Sequence, residues 1–387
     1  MISFNFLLRI LRIPGVILST TIQYFTIGTI YTKTNREFNT LYKNVHLAVE
    51  NCLANQFQLT DIPLVVYQPM SKLFRKFKSN PMVKSGNLPG YGGVFDETVK
   101  SQWFVKNEGS KDVLLFFHGG GFALNCFDAQ FAGVLMLYHA LPEDKKSKFS
   151  ILGLDYTLTF EEDGQFPVQL YEALVVFKKL LSQGFENIHL IGDSAGGNLV
   201  LTLSRFIAYP EEALKYFSKF DKYDFKSFNI SVQPKSAVFI SPWVQPLHLN
   251  SNVHGVDTTG DLGARTTIMG DWLIEGVSTD KSDFEDWITF TKTDPSKYME
   301  IDFFKNRHSL CIYGSREVLR DGIESFVKII ESFGNMETHL EPGGIHDGLF
   351  YVESLDYLGN GGQLAIDGKF NDKYALSRVV DFYNRIL

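Results

Sequence analysis

Apolar residues fall along this chain in short runs of strand length, separated by longer stretches with helical spacing. Ser101–Val105 and Val113–Phe117 alternate or run apolar, and the turn signal Asn107-Glu108-Gly109-Ser110 parts them. Ser150–Asp155, Ile188–Ile191, Ser236–Ile240, Leu310–Gly314 and Glu337–Glu341 read as further strands. Between them Pro167–Ser182, the small-residue run after Ser194 and Ile323–Phe333 read as helices, the first closed by Gly184. Strand, helix, strand, tight turn and helix is the alternation that builds a mostly parallel sheet with helices on both faces. The predicted class is therefore α/β.

Other stretches are less regular. Glu37 to Phe77 is helical in flavour, and Lys72–Gly93, with Arg75, Lys76, Lys78, Pro81 and Pro89, reads as loop with a solvated basic face. Glu211–Lys235 is charged and aromatic and reads as a surface insertion. From Pro242 to Arg307 the rhythm breaks, with Trp243, Trp272 and Trp287 scattered among glycines and aspartates. So long an excursion between core strands predicts a lid or cap. At the N-terminus, Ile13–Tyr31 holds 19 residues without a charge, long enough to cross a bilayer. Pro14, Gly15, Gln23 and five serines or threonines dilute it. Arg9 and Arg12 precede it and favour a cytoplasmic N-terminus, although Lys33 and Arg36 keep the bias slight. No small-x-small cleavage site stands out, so an uncleaved signal-anchor is expected. The alternatives are an interfacial segment or a helix folded onto the cap. Asn229-Ile230-Ser231 would accept a glycan if the body faces a secretory lumen.

Composition narrows the function. Across 387 residues, 44% are hydrophobic and 21% charged, which suits a folded chain with a substantial core. A formal charge of −7 argues against nucleic acid as the main partner. Cys52, Cys126 and Cys311 are odd in number and widely spaced, which suggests neither a disulfide framework nor a metal knuckle. No phosphate loop or dinucleotide fingerprint occurs either, and no cofactor or metal is expected.

The chemistry gathers at three places. Gly192-Asp193-Ser194-Ala195-Gly196, between the Ile188–Ile191 strand and a helix, is a G-x-S-x-G elbow that lifts a serine hydroxyl clear of a sheet. Upstream, His118-Gly119-Gly120-Gly121 follows a strand, where backbone N–H groups of Gly120 and Gly121, with that of Ala195, would bind an oxyanion. His118 is expected to fix this loop and not to carry protons. Downstream, Glu317 and Asp321 follow the Leu310–Gly314 strand, and His346 lies in a glycine-rich loop after the last strand. Serine, then carboxylate, then histidine is the triad order of elbow hydrolases. A serine hydroxyl needs an imidazole to accept its proton, and the imidazole needs a carboxylate to hold its tautomer. Glu317 is preferred to Asp321 because it lies nearer the strand end, while Asp321 can cap the helix that follows.

His118-Gly119-Gly120-Gly121 together with Gly192-Asp193-Ser194-Ala195-Gly196-Gly197-Asn198 resembles the hormone-sensitive-lipase-like branch of the α/β-hydrolases, which includes arylacetamide deacetylases and many carboxylesterases. The N-terminal apolar segment and the wording Gly314-Ser315-Arg316-Glu317-Val318-Leu319-Arg320-Asp321 are more narrowly similar to fungal steryl acetyl hydrolases. That resemblance implies an α/β-hydrolase fold with a helical cap and an enzyme anchored in the endoplasmic reticulum membrane, its body lumenal. It also implies a serine esterase that removes acetyl groups from sterols. Much of the wider family carries Asp where this chain has Glu317. The organisation expected is a membrane-anchor segment at 1–35, a helical cap region at 36–100, and a catalytic domain at 101–387 with a cap insertion at about 242–307. A broad carboxylesterase or amidase, or a non-catalytic small-molecule binder on the same fold, remains the rival; retention of serine, carboxylate and histidine counts against the binder. The oligomeric state is left open by the sequence.

Overall fold

The computed structural model describes residues 2–32, 38, 40–54, 58–247, 257–262, 266–277 and 280–387. Its strands are β1 (Val94–Asp96), β2 (Ser101–Val105), β3 (Asp112–Phe117), β4 (Phe149–Leu154), β5 (Asn187–Asp193), β6 (Ser236–Ile240), β7 (Ser309–Gly314) and β8 (Glu337–Glu341). They form one sheet in the order β1-β2-β4-β3-β5-β6-β7-β8. The β1–β2 and β2–β4 pairs are antiparallel, and all other pairs are parallel.

Alternation along the central strands divides the core in two. Val113, Leu115 and Phe117 of β3, with Ile188 and Leu190 of β5, belong to one apolar layer. Leu114 and Phe116 of β3 and Ile191 of β5 belong to the other. Strands buried on both faces must be apolar on both, which explains their continuous hydrophobic runs. The edge strand β8 is half-buried instead and carries Glu337, Thr338 and His339.

The helices include α1 (Phe4–Phe25), α2 (Leu41–Ala54), α3 (Asp128–Ala140), α4 (Val168–Ser182), α5 (Ala195–Ala208), α6 (Thr266–Ile274), α7 (Ser282–Ile288), α8 (Arg320–Glu331) and α9 (Tyr374–Ile386). Residues of α4, α5 and α8 fill the first layer, and residues of α3 and α9 fill the second. Helix α3 is buried from Ala129 through His139, so it shows no amphipathic period by which the sequence could announce it.

Two expectations are corrected here. Lys72–Gly93 is not all loop: Met70–Lys76 and Pro81–Lys84 are helical, and Leu73, Phe74, Phe77 and Met82 pack beneath the sheet. Nor is Glu211–Lys235 mere surface, because Phe217, Phe225 and Phe228 are buried in the first layer. The ring of Phe217 lies 4.9 Å from Phe225 and 4.8 Å from Trp287. Trp287 comes from the insertion at 242–307, as do the buried Trp243, Phe284 and Phe290. Much of that insertion is thus core; its residues 248–256, 263–265 and 278–279 lie outside the described ones.

Among the described residues, α1 is the one helix long and apolar enough to cross a membrane. Phe4, Leu8, Leu11, Leu18, Ile22 and Phe25 form an exposed apolar stripe at helical spacing. Both ends of the segment touch the body: the Ser3 backbone N–H and Oγ donate to Asp61 at 2.6 and 2.7 Å, and Tyr31 Oη donates to the Gly260 carbonyl at 3.1 Å. Residues 33–35 of the expected anchor lie outside the described ones.

Candidate active site

Ser194 sits where β5 turns into α5. Its backbone is held at φ 48°, ψ −114°, a conformation side chains rarely adopt and which costs of order 1–3 kcal/mol. Its neighbours over-determine it. The Ser194 N–H donates to the Ile240 carbonyl at 2.9 Å, and the Trp243 N–H donates to the Ser194 carbonyl at 2.9 Å. The flanking glycines are required by space: a Cβ on Gly192 would lie 2.3 Å from the Gly196 carbonyl carbon, and one on Gly196 only 1.9 Å from the Phe117 oxygen.

The acid and base turns are stitched together beside this elbow. The Ser315 N–H donates to the Glu341 carbonyl at 3.0 Å, and the Arg316 N–H to the Gly344 carbonyl at 2.9 Å. Glu317 folds back over the end of β7, where its Oε2 accepts the Gly314 N–H at 3.2 Å and the Ser241 Oγ–H at 2.6 Å. His346 Nδ1 lies 3.7 Å from the same Oε2. Asp321, the other carboxylate considered, lies within the first turn of α8. Ser241 follows β6 directly, and its Oγ also accepts the Asp347 N–H at 2.9 Å. One hydroxyl therefore ties the β6 end to both turns.

Buried charge concentrates here. Burial pushes the His346 imidazole toward its neutral form, but the Glu317 carboxylate, with those of Asp261 and Asp193, outweighs it and raises the histidine above its ordinary value. Asp193 and Asp347, the residues beside Ser194 and His346, face each other in the interior. Burial raises both, and the Asp193 charge raises Asp347 well above the ordinary carboxyl value. Gln130 Nε2 donates to Asp193 Oδ2 at 2.6 Å.

The glycine loop begins next to the elbow, since Phe117 pairs in register with Gly192. Gly120, Gly121 and Phe122 all have positive φ, at 107°, 60° and 58°. Helix α6 presses on this turn: a Cβ on Gly121 would lie 2.2 Å from Met269 Sδ. Ala195 opens α5, so its N–H is among the donors a helix leaves free at its start. His118 is fully buried, stacked at 4.2 Å on Tyr156, with Nδ1 2.7 Å from the Gly119 carbonyl. Burial lowers it to about 4, so it is neutral at ordinary pH and braces the loop. Among the described residues, no group of three or more His, Cys, Asp or Glu is gathered as a metal-binding set.

The sequence reading did not reach Ser241, Asp261, Gln130 or Asp347. Asp193 and Asp347 adjoin residues it had singled out, and Ser241 is a polar residue at the carboxyl end of a central strand, where α/β sheets place their sites. Asp261 gives no local signal.

The fold and site define an α/β-hydrolase and, with the comparisons that follow, a carboxylic ester hydrolase. The chain belongs to the steryl acetyl hydrolase family, whose model matches residues 4–348. It is 27% identical over 372 residues to mug81 of Schizosaccharomyces pombe, a candidate steryl acetyl hydrolase, covering 92% of each chain. Over 134 residues it is 30% identical to Steryl acetyl hydrolase 1 of Saccharomyces cerevisiae, which covers 34% of this chain and 26% of that one. Among solved structures, it superposes with a TM-score of 0.50 on an esterase of the bacterial hormone-sensitive lipase family, at 17% identity, over 82% of this chain and 96% of the other. A hormone-sensitive lipase from a metagenome library also gives 0.50, at 18% identity, over 88% and 98%.

The elbow and the carboxyl pair each generate a test. Gly196→Ala must displace the Phe117 carbonyl, and it is expected to lower the unfolding free energy by about 3 kcal/mol in urea denaturation. Asp347 keeps its proton when folded but ionises above about 3.8 when unfolded, so it stabilises at low pH and that contribution is lost as pH rises. Asp347→Asn cannot ionise. Melting temperatures taken from about pH 4 to 8 should fall less steeply with rising pH in the variant than in wild type.

Proposed function

We propose that this chain removes acetyl from the ester of a sterol or similar apolar alcohol, through an acyl-enzyme on Ser194. Ser194 Oγ attacks the ester carbonyl while His346 takes its proton, and Glu317 orients the imidazole and balances its charge. The N–H groups of Gly120, Gly121 and Ala195 receive the oxyanion. Collapse of the tetrahedral intermediate expels the alcohol, protonated by His346. Water, activated by the same imidazole, then releases acetate and restores the serine.

One observation carries this reading: Glu317 and His346 meet across a buried 3.7 Å gap, joined through Ser241 to the strand that holds Ser194 in its strained turn. The acetyl and sterol assignments draw on family membership. The exposed stripe of α1 supports attachment to a membrane, taken here as that of the endoplasmic reticulum with the body lumenal. A helix lying along the membrane keeps Ser3 on Asp61; a spanning helix parts them.

Hydrolysis of p-nitrophenyl acetate and of a sterol acetate should both fall by at least about 10⁴-fold in Ser194→Ala, with fluorophosphonate labelling lost. Activity confined to the small ester would remove the sterol from the proposal, and labelling elsewhere than Ser194 would remove the mechanism. Glu317→Gln should lower kcat by about 10⁴-fold. For location, a glycan on the exposed Asn229, absent from Asn229→Gln, is expected in microsomes. An unglycosylated chain open to added protease puts the body on the cytoplasmic side.

A further inference from the structure

The turns carrying Glu317 and His346 share a second clamp, from a residue outside both. Asp261 is fully buried in the stretch after β6. Its Oδ1 accepts the backbone N–H of His346 itself at 2.7 Å, and its Oδ2 accepts that of Val318, next to Glu317, at 2.8 Å. A carboxylate is the side chain that can receive two such donors at once, one on each oxygen. The gap it spans is the one on which proton transfer depends. At 3.7 Å, His346 Nδ1 and Glu317 Oε2 stand beyond a good hydrogen bond, so a shift of a few tenths of an ångström in either turn makes or breaks the contact.

Asp261 is itself held from behind. Asn51 Nδ2 on α2 donates to its carbonyl at 2.8 Å, and Tyr31 Oη donates to the carbonyl of Gly260. The titratable groups that act on it are His346 on the base turn, Glu317 on the acid turn and Tyr31 from the N-terminal segment, and Tyr31 in turn faces Glu50 and Arg316. Burial raises the Asp261 carboxyl above its ordinary value while His346 and the two backbone N–H donors draw it down, and in its ionised form it acts on the imidazole alongside Glu317.

We infer that Asp261 is a positioning residue of the hydrolytic site, setting the distance between Glu317 and His346 and favouring the imidazolium formed during acyl transfer. This rests on Ser194, Glu317 and His346 acting as proposed above. Asp261→Asn keeps the volume, but it turns an –NH₂ toward one of the two backbone N–H groups and removes the charge.

The test is the pH profile of p-nitrophenyl acetate hydrolysis by full-length wild type, Asp261→Asn, Asp261→Glu and Ser194→Ala, with thermal melts as a check on folding. Asp261→Asn should lower kcat about a hundredfold with KM little changed. The acid limb of kcat/KM, which reports the imidazole of the free enzyme, should move to lower pH, because a neighbouring negative charge has gone. Asp261→Glu keeps the charge and should keep the wild-type acid limb while still losing kcat. A folded Asp261→Asn with wild-type kcat overturns the proposal, and so does lost kcat with an unmoved acid limb, since a purely structural residue would give that. If Asp261→Asn does not fold, Asp261→Glu decides: wild-type kcat there overturns the proposal. Undiminished activity in Ser194→Ala would sink the triad reading instead, independently of Asp261.

Discussion

A single buried hydroxyl joins the parts of this site. Ser241 Oγ donates to Glu317 and accepts from the backbone beside His346, while the residue before it, Ile240, receives the N–H of Ser194. Three turns from distant parts of the sequence thereby meet at the end of β6. Each turn is strained or crowded by itself: Ser194 and Asp347 have positive φ, and a Cβ on Gly314, where the Glu317 turn begins, would lie 2.5 Å from the Gly344 carbonyl carbon. Such turns persist because β5, β6 and β7 beneath them are buried and hold their strand ends in fixed register.

Charge is arranged on the same plan. Glu317, Asp261, Asp193 and Asp347 are all buried around one imidazole. Four ionised carboxylates in so small a volume would repel one another, and the proton that burial and the Asp193 charge hold on Asp347 relieves part of that repulsion. The remainder of the negative charge favours a cation at His346, the state the proposed mechanism requires once the serine proton has moved. A site whose charges are already placed has little to reorganise when the reaction occurs.

How much of this was legible follows from where the signals are local. Strands β2 to β7 were readable, because double burial forces largely apolar runs; β8, half-buried and mixed in character, was readable from its length and place in the alternation. The elbow was readable because its glycines answer a spatial need within five residues. Helix α3 was not, being apolar on every side, nor were the aromatic residues of Glu211–Lys235, whose charged neighbours masked Phe217 and Phe225. Glu317 and His346 could be proposed from order along the chain. Asp261 could not, since its partners are backbone N–H groups 57 and 85 residues away, and backbone partners leave no trace in residue type.

The N-terminal segment has two halves with different attachments. Up to Phe25 it offers an apolar surface; beyond the positive-φ turn at Gly28 it becomes a wall of the site. There the Ile30 carbonyl accepts from Arg316, and Tyr31 packs with Phe38 and Leu47 against Ile345, the residue before the histidine. The two halves are therefore separable in one direction only. The first could be exchanged for another apolar helix without touching the residues of the site, whereas a fragment begun after Tyr31 would leave the supports of both turns open to water.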